Sequence, residues 1–255
     1  MSKHSKHVLI LVGFVVAIGV GLLIRSAIEN AQYEKAKVYN TAIQADTTEV
    51  FNYAVDSRQG NVLASGVFTT KKPVSIEQVS GKYIRIVQTK ERYTQHTETY
   101  QCGTEESPRT CTRNYYTWDY NGQKEYNTVT VTFHDRDYPA ELFSIETTHR
   151  LDCDSIVNNC QYGYEYEDSS FWTSEGDLRW SYSVVNESVF GTILTNTKDG
   201  ILTPIKGYKI DVTYSDIPTI LERMNSQKGA TIFIIIWTII TLIICGFAIK
   251  ANYEN

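Results

Sequence analysis

Two long apolar stretches bracket a polar, tyrosine-rich middle segment. Val8 to Ile24 and Ala230 to Ile249 contain no charged residue, whereas several short runs between them alternate apolar and polar positions. An apolar helix of about 17–25 residues is long enough to cross a bilayer, and alternation is typical of β-strands. The pattern predicts a membrane protein in which two transmembrane α-helices flank a mainly antiparallel β extracytoplasmic domain with a helical stalk.

The same pattern divides the chain into seven segments. We expect a cytoplasmic N-terminus (1–7), transmembrane helix 1 (8–24), a helical stalk (25–55), a β-rich extracytoplasmic domain (56–216), a short helix leading to the membrane (217–229), transmembrane helix 2 (230–249) and a cytoplasmic C-terminus (250–255). The stalk is expected because residues 25–52 contain neither proline nor glycine. Asp216 is a suitable cap for the short helix, and Pro218 fits its first turn.

A cleaved signal peptide is the alternative for the first apolar stretch. Lys3 and Lys6 would form its basic region. The apolar part is long for a signal peptide, however, and Arg25 would occupy the −3 position of the cleavage site after Ala27. An uncleaved anchor is therefore favoured.

Four cysteines in the middle segment indicate which side of the membrane this segment faces. Eight residues separate Cys102 from Cys111, and six separate Cys153 from Cys160. This spacing favours two local disulfides, although four cysteines allow three pairings and a zinc site or free thiols are alternatives. Because disulfides persist outside the cytoplasm, we expect a multi-pass cell-membrane protein with residues 25–229 extracytoplasmic and both termini cytoplasmic.

Small residues recur along the first apolar stretch. Gly13, Ala17 and Gly21 are four residues apart and share one helix face, which another helix can approach closely. Neither stretch contains aspartate, glutamate, lysine, arginine or histidine, so ion-coupled transport is not expected. The layout is similar in outline to the trimeric two-span ligand-gated channels, although it lacks their larger cysteine complement. That resemblance covers topology alone and carries no residues over.

Strand patterns dominate the first half of the middle segment. Lys82 to Gln101, Thr112 to Asn121 and Asn127 to His134 alternate as strands, and Asn121-Gly122 is a typical two-residue hairpin turn. We expect an antiparallel meander of three strands, in which Cys102 and Cys111 close the first loop. The alternation of the third strand places His134 opposite its apolar positions, on a solvated face.

Aromatic residues form two dense runs in this domain. All 18 tyrosines except Tyr253 lie between residues 25 and 229. The residues that could form a binding surface are Tyr115, Tyr116, Trp118 and Tyr120 in one run, and Tyr162, Tyr164, Tyr166 and Trp172 in the other. Such runs suit contacts with protein or carbohydrate, and they equally suit packing in a half-buried sheet.

Composition and motifs narrow the function classes. The net charge is −5 and no basic stripe is present, so nucleic acid is not an expected partner. The signatures GxxxxGK[ST], HExxH, GxSxG and SxxK are all absent, and we expect neither enzymatic activity nor a cofactor. A metal or proton-transfer site around His134 and His149 is a weaker alternative.

The sequence thus predicts a membrane-anchored protein with a disulfide-stabilised extracytoplasmic β domain. That domain would bind protein or carbohydrate at the cell surface or envelope. Its predicted partners are the lipid bilayer and an unidentified protein or carbohydrate. The alternative function is a homo-oligomeric two-span channel or structural membrane assembly.

Overall fold

The computed structural model describes residues 3–157, 160–165, 168–226 and 228–253. The helices are α1 (Lys3–Asn40), α2 (Thr48–Asp56), α3 (Ile217–Asn225) and α4 (Lys228–Tyr253), with a 3₁₀ turn at Ala140–Leu142. The strands are β1 (Ile43–Ala45), β2 (Asn61–Thr69), β3 (Val74–Ile76), β4 (Val79–Thr104), β5 (Ser107–Asn127), β6 (Thr130–Phe133), β7 (Arg136–Pro139), β8 (Phe143–Ser144), β9 (His149–Arg150), β10 (Cys160–Glu165), β11 (Asp168–Glu175), β12 (Leu178–Asn186), β13 (Ser188–Asn196), β14 (Thr203–Pro204) and β15 (Ile210–Thr213).

The chain divides into two compact units. The first is built from residues up to Gln44 and from Ser215 onward, and the second from Ala45–Tyr214. The first unit contains α1, α3 and α4, and the second is rich in β-strand. Two apolar helices therefore flank a β-rich domain, as the sequence predicts.

The two long helices are apolar on their outer surfaces. By length and composition alone, one helical region in α1 and one that includes α4 could each cross a membrane. Leu23 in α1 is 73% exposed, and Phe247 in α4 is 70% exposed. Large exposed apolar surfaces are unusual in water, which makes these helices suited to a lipid environment.

The predicted stalk over residues 25–55 is not one helix. α1 ends at Asn40, β1 follows, and a new helix begins at α2. The Thr47 side chain accepts a hydrogen bond from the Val50 N–H (3.4 Å) and so caps the start of α2. The prediction was wrong because it relied on the absence of proline and glycine. That criterion does not detect the threonine cap that starts a new helix at Thr48.

The short helix predicted after Asp216 is confirmed as α3. Asp216 Oδ1 accepts a hydrogen bond from the Thr219 N–H (3.0 Å), and the Thr219 side chain, together with this N–H, lowers the pKa of the Asp216 carboxyl. The last residues of α1 and α3 also meet. Asn40 Nδ2 donates to Asn225 Oδ1 (2.8 Å), and Asn225 Nδ2 donates back to Asn40 Oδ1 (3.1 Å).

Two sheets form the β-rich unit. One has the strand order β7-β6-β2-β13-β15-β8, and the other has the order β10-β11-β12-β4-β3, with β5 also paired to β4 and β9 to β12. β8 pairs with β15 in parallel, whereas β13 pairs antiparallel with β2, β14 and β15. The single residue Glu187 separates β12 in one sheet from β13 in the other.

Each sheet has its own apolar core. Phe68 stacks on Phe133 with ring centroids 4.2 Å apart, and Phe51 of α2 meets the edge of Phe133 at 5.3 Å. The second core contains Val79, Tyr83, Ile86, Leu151, Ile156, Tyr182 and Val184. Burial of these side chains supplies the main favourable term in folding of the unit.

The predicted three-stranded meander is wrong. The first two expected strands are parts of β4 and β5, which pair from Arg85 with Asn127 to Thr104 with Ser107, and β6 belongs to the other sheet. Asn121-Gly122 is not a hairpin turn, because both residues lie opposite Lys90 within the β4–β5 pair. Gly122 has φ +104°, so it serves as a β-bulge.

Candidate functional site

The outer part of the β4–β5 hairpin is the most prominent feature of the β-rich unit. β12 covers β4 only as far as Arg92, and beyond this point β4 pairs with β5 alone among the described strands. We name residues 93–104 and 107–118 the ribbon. At about 3.3 Å per residue, each of its strands is roughly 40 Å long.

A disulfide closes the ribbon near its tip. Cys102 and Cys111 are bonded, with their Cα atoms 5.8 Å apart. In the strand register Cys102 lies opposite Arg109, and Cys111 lies opposite Tyr100, so the bond runs diagonally across the two strands. Because an isolated two-stranded hairpin is marginally stable in water, this bond stabilises the part of the ribbon farthest from the core.

The second predicted disulfide is also present. Cys153 and Cys160 are bonded, with a Cα–Cα distance of 5.4 Å, so both local pairings are confirmed. Cys245 in α4 is a free thiol.

The two faces of the ribbon differ in charge. Side chains alternate between faces along a strand, and directly opposite residues share a face. One face, which we call the neutral face, has no charged residue and consists of Tyr93, Gln95, Thr97, Thr99, Gln101, Thr110, Thr112, Asn114, Tyr116 and Trp118. The other face, the charged face, carries Thr94, His96, Glu98, Tyr100, Cys102, Arg109, Cys111, Arg113, Tyr115 and Thr117.

Three aromatic rings form a stack at the base of the neutral face. The ring centroids of Tyr93 and Tyr116 are 5.2 Å apart and those of Tyr93 and Trp118 are 5.1 Å apart. The Tyr116 hydroxyl donates to Gln95 Oε1 at 3.2 Å, which orients the outermost ring. Tyr116 remains 53% exposed.

A buried arginine connects this stack to the core of the sheet. The Arg179 guanidinium carbon lies 4.6 Å from the centroid of Trp118 and 4.9 Å from that of Trp172. Arg179 Nε also donates to Glu91 Oε2 at 2.8 Å. Arg179 is only 4% exposed, and its buried charge interacts with both the Glu91 carboxylate and the two indoles.

The charged face is held by pairs of polar side chains. His96 Nε2 lies 2.7 Å from Asp119 Oδ2, and Arg113 contacts Glu98 at 2.8 Å. The Thr117 hydroxyl donates to Asp119 Oδ1 at 2.7 Å, and this hydrogen bond is the main cause of the lowered pKa of the Asp119 carboxyl. The His96–Asp119 and Glu98–Arg113 pairs cross between the two strands and stiffen the ribbon.

The predicted aromatic residues fall into separate groups. Tyr116 and Trp118 lie on the neutral face, Tyr115 lies on the charged face against His96, and Tyr120 lies opposite Glu91 at the base, 67% exposed. Trp172 lies beside Arg179, and its indole N–H donates to Gln161 Oε1 at 3.0 Å. Tyr162 and Tyr164 belong to β10, but their side chains, like the whole of Tyr166, lie outside the described residues.

Arg179, Tyr93 and Gln95 were not among the predicted site residues. Arg179 is 88 residues from Glu91 in sequence, and nothing near it in the chain signals a stacked, buried cation. Tyr93 and Gln95 lie in a recognised strand pattern. The pairing of Tyr93 with Trp118 and of Gln95 with Tyr116 depends on the bulge at Gly122, which sets the register.

The small residues of α1 lie against α4 in part. The Trp237 indole N–H donates to the Ala17 carbonyl oxygen at 2.9 Å, and a Cβ atom at Gly21 would overlap Trp237 Cδ1. Gly13 instead borders an apolar groove of about 370 Å³ between the two helices, where a Cβ would meet nothing within 4 Å.

His134 is buried, which corrects the prediction of a solvated face. Its ring lies 4.7 Å from that of Phe51, and Nδ1 is 3.2 Å from the Thr48 hydroxyl. His134 and Asp135 have φ values of 48° and 62° and form the two-residue turn between β6 and β7, so strand alternation ends before His134.

The metal alternative gains no support from these positions. His149 lies exposed on β9. The described residues contain no group of three or more histidine, cysteine, aspartate or glutamate side chains placed to hold a metal ion.

Comparison of the chain with protein-family models, with curated proteins and with solved structures returned no match.

Proposed function

We propose that this protein is a non-enzymatic, membrane-anchored binding protein, and that the neutral face of the ribbon contacts a protein partner. The observation that carries the proposal is the separation of charge between the two faces of the ribbon, with an aromatic stack at the base of the uncharged one. α1 and α4 anchor the chain in the membrane, and the disulfide-bonded β domain lies on the extracytoplasmic side.

The composition of the neutral face supports a protein partner. The cores of protein–protein interfaces are depleted of charged residues and enriched in tyrosine and tryptophan. Tyrosine, asparagine and threonine supply contact area and adaptable hydrogen bonds. Arg179 and Gln95 hold the aromatic rings before any partner binds, which reduces the entropy lost on association.

The ring geometry makes carbohydrate the weaker choice. A sugar packs its apolar face on the flat face of an aromatic ring, so that ring face must be open. Tyr93 stacks on Tyr116 with an interplanar angle of 18°, and the Trp118 ring is tilted by 45° against Tyr93. These contacts reduce the open ring area at Tyr93, whereas the exposed Tyr116 with its hydroxyl suits contact with peptide groups and side chains.

Adjacent tyrosines provide the test of this contact surface. Tyr116 and Tyr115 are 53% and 42% exposed but lie on opposite faces. A photocrosslinking amino acid placed at each position in cells of the native host should give a protease-sensitive adduct from position 116 and none from position 115. Tyr116→Ala should abolish partner recovery with the purified full chain, and Tyr115→Ala should not.

Two outcomes would contradict the proposed contact between the neutral face and a protein. Equal adducts from both positions would mean that the faces are not distinguished, and the proposal would be wrong. Binding of the full chain to a neutral oligosaccharide array, lost in Tyr116→Ala but not in Tyr115→Ala, would replace the protein partner with a carbohydrate.

The proposed orientation has its own test. In intact cells a membrane-impermeant maleimide should label Cys102, Cys111, Cys153 and Cys160 only after treatment with a membrane-impermeant reductant. The reason is that both pairs are disulfides in a domain placed outside the cytoplasm. Labelling that needs permeabilised cells and no reductant would place the domain in the cytoplasm.

The groove beside Gly13 favours a second candidate function, a homo-oligomeric membrane assembly or channel. Gly13 and Ala17 line this groove together with Cys245, and small residues allow a further helix to approach. Gly13→Leu should then lower the mass of the detergent-solubilised protein. An unchanged mass would remove this candidate.

A further inference from the structure

The outer edge of β4 in the ribbon has no neighbouring strand. β12 ends beside Arg92, and from Thr94 to Thr104 the only described strand paired with β4 is β5. Such an edge presents N–H and C=O groups that can pair with another strand. Its free length, eleven residues, exceeds that of the mean strand in globular proteins, about five to six residues.

The two edges of the ribbon differ in how they are protected. Natural edges are blocked by proline and by lysine or other charged side chains. The β5 strand of the ribbon contains Pro108 as well as Arg109 and Arg113. The β4 strand from Thr94 to Thr104 contains no proline, lysine or arginine, and the carboxylate of its Glu98 is paired with Arg113 of β5, so it is the edge left open for pairing.

We propose that this edge of β4 pairs with the same edge of a second copy of the chain, as antiparallel strands about a two-fold axis centred on Thr97. The proposal rests on the binding function proposed above, because the pairing would join two neutral faces into one larger contact surface. The strand that occupies the free edge is β4 of the second copy.

The charges on β4 select the register. A two-fold axis perpendicular to the sheet keeps each side chain on its own face, so opposite residues must both be even-numbered or both odd-numbered. A centre at Glu98 would place that carboxylate opposite its own copy, which is unfavourable. A centre at Thr97 places Glu98 opposite His96 of the second copy, twice, without breaking the Glu98–Arg113 and His96–Asp119 pairs, and leaves the neutral-face pairs uncharged.

The area of the neutral face also supports pairing through β4. The neutral face of one ribbon measures roughly 40 Å by 10 Å, or about 400 Å², which is half of the ~800 Å² per partner in a standard protein–protein interface. Pairing through β4 would join two neutral faces on the same side of a four-stranded sheet. The combined face would reach the area that stable recognition needs.

Single cysteines in a Cys245→Ala background test the register. With the centre at Thr97, residue 97 faces its own copy at a Cβ–Cβ distance of about 5 Å, which a disulfide can bridge with small adjustment. Residue 99 is then roughly 13 Å along the strand from its copy. Oxidation of the full chain in native membranes should convert most of Thr97→Cys to a covalent dimer and leave Thr99→Cys monomeric.

Thr112→Cys is the matched control for random collision. Thr112 lies opposite Thr99 on the same face, but on the β5 strand. A dimer from Thr112→Cys equal to that from Thr97→Cys, a dimer from Thr99→Cys alone, or no dimer from any variant would overturn the proposal. The mass of the protein alone does not test pairing through β4, because association of the two apolar helices would also raise it.

A second pair of variants separates this proposal from the binding function. In the Thr97→Cys background, lysine at Thr99 should block the β4 edge and prevent the covalent dimer. Lysine at Thr112, on the β5 strand, should leave that dimer intact. If position 116 still gives its protein adduct while Thr97→Cys stays monomeric, the binding function stands and the edge proposal fails.

Discussion

The guanidinium carbon of Arg179 lies 4.6 Å from the ring centroid of Trp118, so a cation on β12 supports the first aromatic ring of the ribbon. Arg179 is buried and bonded to Glu91 as well. Sheet core and ribbon are thereby connected through one side chain. The rigidity of the proposed binding face depends on this contact.

Removal of the Arg179 side chain should destabilise the β-rich unit. Arg179→Ala leaves Glu91 without its partner in a largely buried position, and we expect a loss of about 2–4 kcal/mol in the free energy of unfolding. Arg179→Lys should lose less, because it keeps the charge but not the planar stacking group. Urea unfolding of the full chain in detergent, followed by circular dichroism, measures both values.

Arg113→Ala is the control for this experiment. Arg113 forms an exposed ion pair with Glu98 on the ribbon, and exposed pairs contribute little to stability because water screens their charges. Equal losses from Arg113→Ala and Arg179→Ala would contradict the structural role assigned to Arg179.

The Cys102–Cys111 disulfide should stabilise the ribbon and not the core. A ring of this size contributes about 2.5–3 kcal/mol in the chain-entropy model. Replacement of both cysteines by serine should accelerate amide hydrogen exchange in residues 97–112 and leave β2 and β13 unchanged. The expectation fails if exchange in the core rises as much as exchange in the ribbon.

His134 should make the β-rich unit less stable at mildly acidic pH. Burial lowers the pKa of His134 below its ordinary value of 6.5, although the Ser65 backbone and the carboxylates of Asp135 and Glu49 oppose the shift. The unfolded chain therefore binds a proton at higher pH than the folded chain does. This contribution to stability is complete above pH 6.5 and decreases as the pH falls below that value.

His134→Asn tests this dependence, because asparagine tolerates the positive φ of this turn and does not titrate. The melting temperature of the wild type should fall more than that of the variant between about pH 7.5 and 5.5. Parallel curves for the two proteins would show that another group causes the change.

Gly21 and Gly13 should respond differently to the same substitution. Gly21→Leu forces a side chain into Trp237 and should destabilise the α1–α4 pair by about 1–3 kcal/mol. Gly13→Leu enters open space and should leave the melting temperature in detergent unchanged. Equal destabilisation by both variants would contradict the packing of Trp237 against Gly21.

Local features of the chain were predictable from the sequence. The two apolar helices follow from uninterrupted runs of uncharged residues, and the cap at Asp216 follows from residues within one helical turn. Both disulfide pairings also follow from proximity, because each joins cysteines fewer than ten residues apart. In each case the deciding interaction is contained within a short segment.

The tertiary structure alone decided how strands combine and which residues become buried. Asn121-Gly122 has the composition of a hairpin turn, but pairing of β4 with β5 on both sides makes it a bulge within one long strand. Arg179 and His134 are buried by elements far away in sequence, β4 and α2 respectively. The sequence alone determined the two apolar helices and the two short-range disulfides. The ribbon and its neutral face depend on long-range strand register, which no short segment encodes.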